Sequence, residues 1–304
     1  MSLPPPDGFT ERPLRRDDAA LAAELLAEDE RAFDQEPHVG EQDVLSWWLP
    51  AKLETDSWLV EEGGRPVALG WLGHQGDQAY AAGCVRPGWK ERGLGAWLVA
   101  RSEARAHEVG ARVLHQFTTA VDVRAGALFE ARGYRAARRH YEMVVELDAP
   151  PAAAQVPEGL SIDTFRGTDA QAWHAASAEA FADEWGFVSM PFDEWWAMRS
   201  NDPVFDPSLW FLVRDGKEIA ALARCEAGRH GGGFVGMLAV RKPWRRRGLG
   251  LALLQHALRE FYARGLSRVS LGVDSENPTG ATRLYERAGM HVERESVTFE
   301  KALA

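Results

Sequence analysis

Two glycine segments carry the most specific chemistry in this 304-residue sequence. The segment Arg245-Arg246-Arg247-Gly248-Leu249-Gly250 lies between a stretch of strand character and an amphipathic one. Glycines let the backbone approach a ligand closely and adopt torsions that other residues avoid. The unpaired N–H groups of a helix start then converge on one spot, where the helix dipole favours an anion. Three arginines add positive charge, so the expected ligand is a pyrophosphate-like anion. No Gly-Lys-Ser/Thr ending follows, which excludes a Walker A loop, and no Gly-x-x-Gly spacing follows Gly250, which excludes a dinucleotide fingerprint.

The same pattern occurs earlier as Arg86-Pro87-Gly88-Trp89-Lys90-Glu91-Arg92-Gly93-Leu94-Gly95. Downstream, Leu128-Phe129-Glu130-Ala131-Arg132-Gly133-Tyr134 is answered by Leu284-Tyr285-Glu286-Arg287-Ala288-Gly289-Met290. Upstream, Trp47-Trp48 is answered by Trp195-Trp196. The order is the same and the offset is near half the chain, so the sequence reads as a duplicated domain rather than a solenoid. The segment from Asp148 to Gly159 is Pro-rich, small and aperiodic, as a stiffened linker is. The expected domains are therefore residues 1–148 and 158–304.

Each half must position its glycine segment in the same way. A short strand near Leu14 or Ile162 precedes helical stretches, with Asp18 and Asp169 where an N-cap belongs. Two strands follow; in the second half these are Leu209 to Arg214 and Glu218 to Arg224, around the Asp215-Gly216 hairpin signal. A third strand, Phe234 to Val240, runs into the glycines. Leu251, Leu254, Leu258 and Phe261 then form one helical stripe, closed by Gly265. A β-rich stretch from Arg268 to Val273, a short helix from Pro278 to Ala288 and a last strand with Val297 and Phe299 complete the half. This is a mixed α/β arrangement with too many consecutive strands for a Rossmann fold.

Composition narrows the function. The net charge of −10 argues against a general nucleic-acid binder, which needs a broad basic surface. No apolar run approaches the length of a membrane helix, and the first residues lack the pattern of a signal peptide. Cys84 and Cys225 are the only cysteines, so no disulfide framework is expected and the cytoplasm is the expected compartment. Both read as buried, inert thiols. The nine His show no His-Glu-x-x-His pattern, and no metal is expected.

Arg-x-x-Gly-x-Gly after a strand, followed by Asn277-Pro278-Thr279-Gly280-Ala281-Thr282-Arg283-Leu284-Tyr285-Glu286-Arg287-Ala288-Gly289-Met290, resembles the Gcn5-related N-acetyltransferases. The resemblance covers nearly the whole chain as a tandem pair and implies an α/β fold with a mixed sheet in each domain. It implies acetyl-CoA, or another acyl-CoA, as co-substrate. The pyrophosphate would lie on the amides of Arg246 to Leu251, with Arg245, Arg247, Gly248, Leu249, Gly250 and Asn277 around it. The pantetheine arm would lie along Leu238, Ala239 and Val240, on a strand that splays from its neighbour. In the first half, Val85, Arg92, Gly93 and Gly95 would be the corresponding contacts. Acyl transfer to an amine also needs a proton returned to the CoA thiolate, and the resemblance gives that role to Tyr285. The first half has Phe129 there, without a donor, and Val121 or Asp122 in place of Asn277; it is expected to be catalytically degenerate.

The family often carries a Glu early on the strand that ends at Val240. Here that stretch is Gly233-Phe234-Val235-Gly236-Met237. Asp274, Glu276 and Glu226 are the carboxylates that remain as substitute bases, with direct water attack on the proton as the alternative. Trp185, Trp195, Trp196 and Trp210 fit either an acceptor pocket or core packing. Asp183, Glu184, Asp193 and Glu194 are placed to attract an ammonium group or to form a wet helix face. The expected activity is transfer of an acetyl group to a primary amine of a small molecule, by a monomer or homodimer with no nucleic-acid or membrane partner. Length and layout are similar to those of the mycothiol synthases among the tandem members. A non-catalytic CoA-binding sensor is the alternative, and an aminoacyl-tRNA-using transferase is disfavoured by the acidic balance.

Overall fold

The computed structural model describes residues 3–182, 184–277 and 280–303. Asp183, Pro278 and Thr279, singled out above, lie outside the described residues, as do Met1, Ser2 and Ala304. The chain forms two compact units, one from residues up to His140 together with those from Glu295 onward, the other from Tyr141 to Arg294.

The first unit contains β1 (Thr10–Arg12), α1 (Ala19–Arg31), α2 (Glu41–Trp47), α3 (Leu53–Asp56), β2 (Ser57–Glu62), β3 (Arg65–Gln75), β4 (Gln78–Val85), α4 (Leu94–Glu108), β5 (Val113–Thr119), α5 (Val123–Ala131) and the start of β6 (Arg135–Glu146). The second repeats the order with β7 (Leu160–Thr164), α6 (Ala170–Phe181), α7 (Phe192–Ser200), β8 (Trp210–Asp215), β9 (Glu218–Arg229), β10 (Gly232–Val240), α8 (Leu249–Ala263), β11 (Arg268–Asp274), α9 (Ala281–Arg287) and the start of β12 (His291–Ala302).

The units do not divide at the Pro-rich segment. From Glu295 onward the chain belongs to the first unit, where Ser296 to Ala302 pair antiparallel with β5. From Tyr141 onward the chain belongs to the second unit, where the end of β6 is the neighbour of β11. The expected boundary at 148–158, which left each half its own last strand, is corrected accordingly. The two terminal strands are equivalent copies, so hydrophobic alternation alone does not say which sheet each joins. Val297 and Phe299 are buried in the first unit, while Met143 and Val145 are buried in the second.

In the second unit, antiparallel pairs link β7 to β8, β8 to β9 and β9 to β10. β10 and β11 run parallel but pair only at Gly233–Val269 and Phe234–Ser270. Beyond Phe234, β10 keeps its partner β9 as far as Val240 and has none on β11. The first unit does the same: β4 pairs with β5 from Gln78 to Ala81, and beyond that keeps its partner β3 as far as Val85. Each sheet is thus split into a wedge whose open end leads to a glycine segment.

Helices cover both faces. Of the expected stripe of α8, Leu254, Leu258 and Phe261 are buried among Ala221, Ala223 and Cys225 of β9, while Leu251 is half-buried. Fully burying each such large side chain is worth roughly 1.5–3 kcal/mol. Gly265 ends the helix with φ +77°, and its N–H donates to the Tyr262 carbonyl at 2.9 Å. On the opposite face, Trp173 of α6 packs on Trp210, Leu212, Leu222 and Ala239. Trp195 and Trp196 are half-buried against this second cluster, and Trp47 stacks on Trp71 at 6.2 Å in the first unit. Both cysteines are buried, and burial pushes their thiols up, as expected of inert groups.

Candidate active site

The glycine segment of the second unit forms a nest of amides. After a 3-10 turn, Lys242–Trp244, Arg245 is extended, Arg246 takes φ +64° and Gly248 takes φ +83°, and α8 begins at Leu249. Alternating torsions of this kind turn successive N–H groups toward one side, and a helix start leaves its first amides unpaired. The first backbone donor of α8 with an acceptor is Ala252, bonded to Gly248 at 3.1 Å; among the described residues none pairs Arg246 to Leu251 with a backbone acceptor. At Gly250 an added Cβ would sit 2.8 Å from Leu284, so this glycine lets α8 pack directly on α9.

The three arginines differ in role. Arg245 ties the loop down, donating to Val240 O at 3.1 Å and to Ala180 O at 3.3 Å. Arg246 and Arg247 are exposed, and among the described residues no carboxylate pairs with either. The first unit copies the backbone, with φ +69° at Glu91 and φ +84° at Gly93, but not the charge. Lys90 lies 2.7 Å from Asp29, and Arg92 lies 2.6 Å from Glu62. Arg124 pairs with Glu91. Arg92 and the Trp89 indole hold the Glu62 carboxyl down at about 2. A cleft of about 400 Å³ opens beside this loop, lined by Lys90, Gly93, Gly95, Asp122 and Phe129 among others.

Tyr285 lies on α9, buried at the α8 side of the wedge, in the same core as Leu249 and Leu253. Burial, with the nearby Glu184 charge, pushes its phenol up to about 12. It therefore stays protonated at neutral pH and can act as a donor. The Asn277 amide donates to Glu184 Oε1 at 3.3 Å, which brings the loop after α6 next to the loop before α9. Glu184 thus joins Tyr285 and Asn277, a placement that neither helical period nor motif announces. In the first unit Phe129 packs on Phe299 at 5.2 Å and Tyr134 at 5.8 Å, while Asp122 caps α5 by accepting from Ala125 N at 3.0 Å.

The three carboxylates offered as bases are not brought together. Asp274, at the end of β11, accepts the Glu276 N–H at 2.8 Å and closes a turn, and Glu276 is exposed. Glu226 is 3% exposed and lies on β9 directly across from Phe234. Its Oε2 accepts from Arg229 at 2.7 Å and its Oε1 lies 3.2 Å from Arg224 Nε. Both carboxylate oxygens are thus engaged by guanidiniums of the same strand.

Arg224 also donates to Gly236 O at 3.2 Å, at the point where the β10 ladder shifts register between Val235 and Met237. A Cβ on Gly236 would lie 2.9 Å from Arg224 Nη2 and 3.1 Å from Glu226 Oε1, so a side chain there would have to push the ends of this pair aside. Arg199 of α7 approaches the same group; burial and the Arg224 charge pull its guanidinium down to about 9. These inward arginines were missed in the sequence, where their one signal is the charged pair Arg224 and Glu226 in an otherwise alanine-rich strand.

The wedge-split mixed sheet with an amide nest at its mouth defines an acyl-CoA-type transferase fold. The profile of the Acetyltransferase (GNAT) family matches residues 22–134 and again 170–290. The chain belongs to this family, as a tandem pair, and is an acetyltransferase. It is 32% identical over 232 residues to a mycothiol acetyltransferase of Geodermatophilus obscurus, covering 72% of each chain. It is 28% identical over 303 residues to that of Catenulispora acidiphila, covering 93% of this chain and 94% of the other. The crystal structure of a GCN5-related N-acetyltransferase from Sphaerobacter thermophilus superposes with a TM-score of 0.84 at 34% identity, covering 98% and 96% of the two chains. A tandem GNAT protein of the clavulanic acid biosynthesis pathway shares the fold, with a TM-score of 0.72 at 18% identity over 97% and 98%. Among the described residues no helix is long and apolar enough to cross a membrane.

Proposed function

We propose that the protein is an acetyl-CoA-dependent N-acetyltransferase for the primary amine of a small molecule, with the chemistry in the second unit. The observation that carries this reading is the pairing of an uncompensated cationic nest with a buried, protonated Tyr285 on the same wedge. Acetyl-CoA supplies the activated acetyl group as a thioester. The residues fit it. The amides of Arg246 to Leu251 and the free cations Arg246 and Arg247 suit a pyrophosphate, and the unpaired edge of β10 at Leu238 to Val240 suits the pantetheine amides. Backbone donors on that edge can also polarise the thioester carbonyl. Tyr285 holds its proton until a thiolate develops beside it. With Glu226 held by arginines, the amine loses its proton to water, which requires a fraction of the acceptor to be neutral already.

The first unit serves as a non-catalytic partner in this reading. Phe129 offers no proton, and Lys90 and Arg92 of its glycine loop are already matched by Asp29 and Glu62. The relatives named mycothiol acetyltransferase support a mycothiol synthase-like variant of the same activity. Acetyl-CoA and a panel of amines that includes the mycothiol precursor, followed as free-thiol release, test both. Release with the precursor alone selects that variant. Tight acetyl-CoA binding by calorimetry without release from any amine replaces the enzyme with a CoA sensor.

A further inference from the structure

Strand β10 carries one extra residue just past the point where the wedge opens. Its register with β9 steps by one between Val235 and Met237, which leaves Gly236 without a partner on β9. Its last pair with β11 is at Phe234, two residues earlier. A bulge of this kind bends a strand and re-aims its backbone groups. In the first unit β3 and β4 instead keep one register from Gln75–Gln78 to Ala68–Val85. The two copies differ across the strand as well. Arg224 faces Met237, three residues before the Ala221–Val240 pair. Three residues before Ala68–Val85 the first unit has Trp71 facing Ala82. A guanidinium thus stands where the first unit has an indole, and it donates to Gly236 O at 3.2 Å. Glu226 Oε1, 3.2 Å from Arg224 Nε, holds that guanidinium in place. In a trans peptide the N–H points opposite to the C=O. With Gly236 O turned to Arg224, the N–H of the same peptide, that of Met237, is turned away from it. A donor bonded to a peptide carbonyl also strengthens that peptide's own N–H, because linked hydrogen bonds polarise one another.

We infer that Arg224 is a positioning residue for acyl transfer, which aims and strengthens the Met237 N–H as the donor to the thioester carbonyl. The inference rests on the acetyltransferase reading and adds a residue to it. The Met237 N–H bonds the thioester oxygen while the amine nitrogen bonds the carbonyl carbon. The electron pair gathered on that oxygen returns as the carbon–sulfur bond breaks, and the sulfur takes its proton from Tyr285. A donor fixed in advance is worth most at this stage, because it needs no reorganisation as the charge develops. Arg224 acts through the peptide and not on the reacting atoms. The bulge and the guanidinium occur together in the unit that has Tyr285, while the unit that has Phe129 keeps a regular ladder and Trp71.

The test reads the carbonyl stretch of bound acetyl-CoA, labelled with carbon-13 at the acetyl carbonyl, by difference infrared spectroscopy without an acceptor. Thiol release with an amine panel gives kcat and KM for the same proteins. The variants are Arg224→Met, Arg224→Lys and Gly236→Ala. The last keeps every charge and pushes the guanidinium off Gly236 O, since the added Cβ would lie 2.9 Å from Arg224 Nη2. In the intact protein the stretch should lie below its position in water. In Arg224→Met and Gly236→Ala it should move back toward that position. Their kcat should fall about 10-fold, short of the roughly 10²- to 10³-fold cost of deleting such a donor. The KM for acetyl-CoA should change less than about twofold, and Arg224→Lys should recover part of both effects. A stretch at its water position in the intact protein overturns the inference, and so does a fall in kcat with the stretch unmoved. Either result leaves the acetyltransferase reading standing where an amine is acetylated. An Arg224-dependent stretch without transfer to any amine does the reverse, and absence of acetyl-CoA binding overturns both. If Arg224→Met does not fold, Gly236→Ala decides.

Discussion

Phe234 of β10 and Glu226 of β9 face each other as direct cross-strand partners, so the carboxylate of this site stands one strand away from where the family pattern puts it. Two arginines hold it there. A clamped carboxylate supports the architecture of the site, and in the proposed mechanism water, not this carboxylate, takes the amine's proton. Glu226→Ala should therefore destabilise the protein by about 3 kcal/mol, the cost of breaking a buried ion pair, as read by denaturant unfolding. The rise of kcat/KM with pH should follow the pKa of the acceptor amine. Amines of graded basicity should shift that rise in step with their own pKa values. A rise fixed at one pH for all amines, and lost in Glu226→Gln, would restore the carboxylate as the base.

In the proposed mechanism Tyr285 returns the proton. Replacing it with Phe should lower kcat by about 10²- to 10⁴-fold, the usual contribution of a positioned acid. Phe129→Ala should leave kcat nearly unchanged. The raised pKa of Tyr285 has a stability consequence with a definite sign. The folded state favours the neutral phenol, so that contribution is complete below the unfolded phenol value of about 10 and declines as pH rises toward about 12. Ultraviolet phenolate titration, taken as the difference between the intact protein and Tyr285→Phe, should show no ionisation of Tyr285 until about pH 12. Glu184→Gln, which removes the neighbouring charge, should bring that ionisation to lower pH.

The two glycine loops share a backbone and differ in charge, which separates shape from electrostatics. Arg246→Ala and Arg247→Ala should each raise the KM for acetyl-CoA by about tenfold, through loss of a charged contact to phosphate. Arg92→Ala in the first unit should change it little, because Glu62 already holds that guanidinium. Gly248→Ala tests the shape. At φ +83° a side chain is strained by about 1–2 kcal/mol, so the nest should loosen and acetyl-CoA binding should fall even with all three arginines present.

The duplication, the order of elements and the loop were legible because each depends on local sequence. Glycines must stand where φ is positive, as at Gly93 and Gly248, and the α8 stripe has its own period. Tyr285 was legible through its motif. What stayed hidden depends on contacts across long stretches of chain. Arg199 and Arg224 are 25 positions apart by number and meet only because α7 folds onto β9. Glu184 reaches Asn277 through a loop with no motif. The charge difference between the loops was hidden too, since Asp29 and Glu62 lie far upstream of the cations they pair with.

The strand from Ser296 to Ala302 extends this point to stability. It was expected to close the second half, yet it completes the sheet of the first unit beside β5. Phe299 is 5% exposed there, packed on Phe129 and against Gly126, where an added Cβ would lie 3.4 Å from its ring. Phe299→Ala should cost about 3–5 kcal/mol, the usual loss for a buried Phe. Hydrogen exchange should place the loss in β5 and α5 while amides of β9 and β10 keep their protection. Removal of residues 295–304 should expose the β5 edge and give the same pattern in stronger form, with aggregation through the unpaired strand. Loss of protection confined to β10 and β11 in either variant would assign the strand to the other sheet.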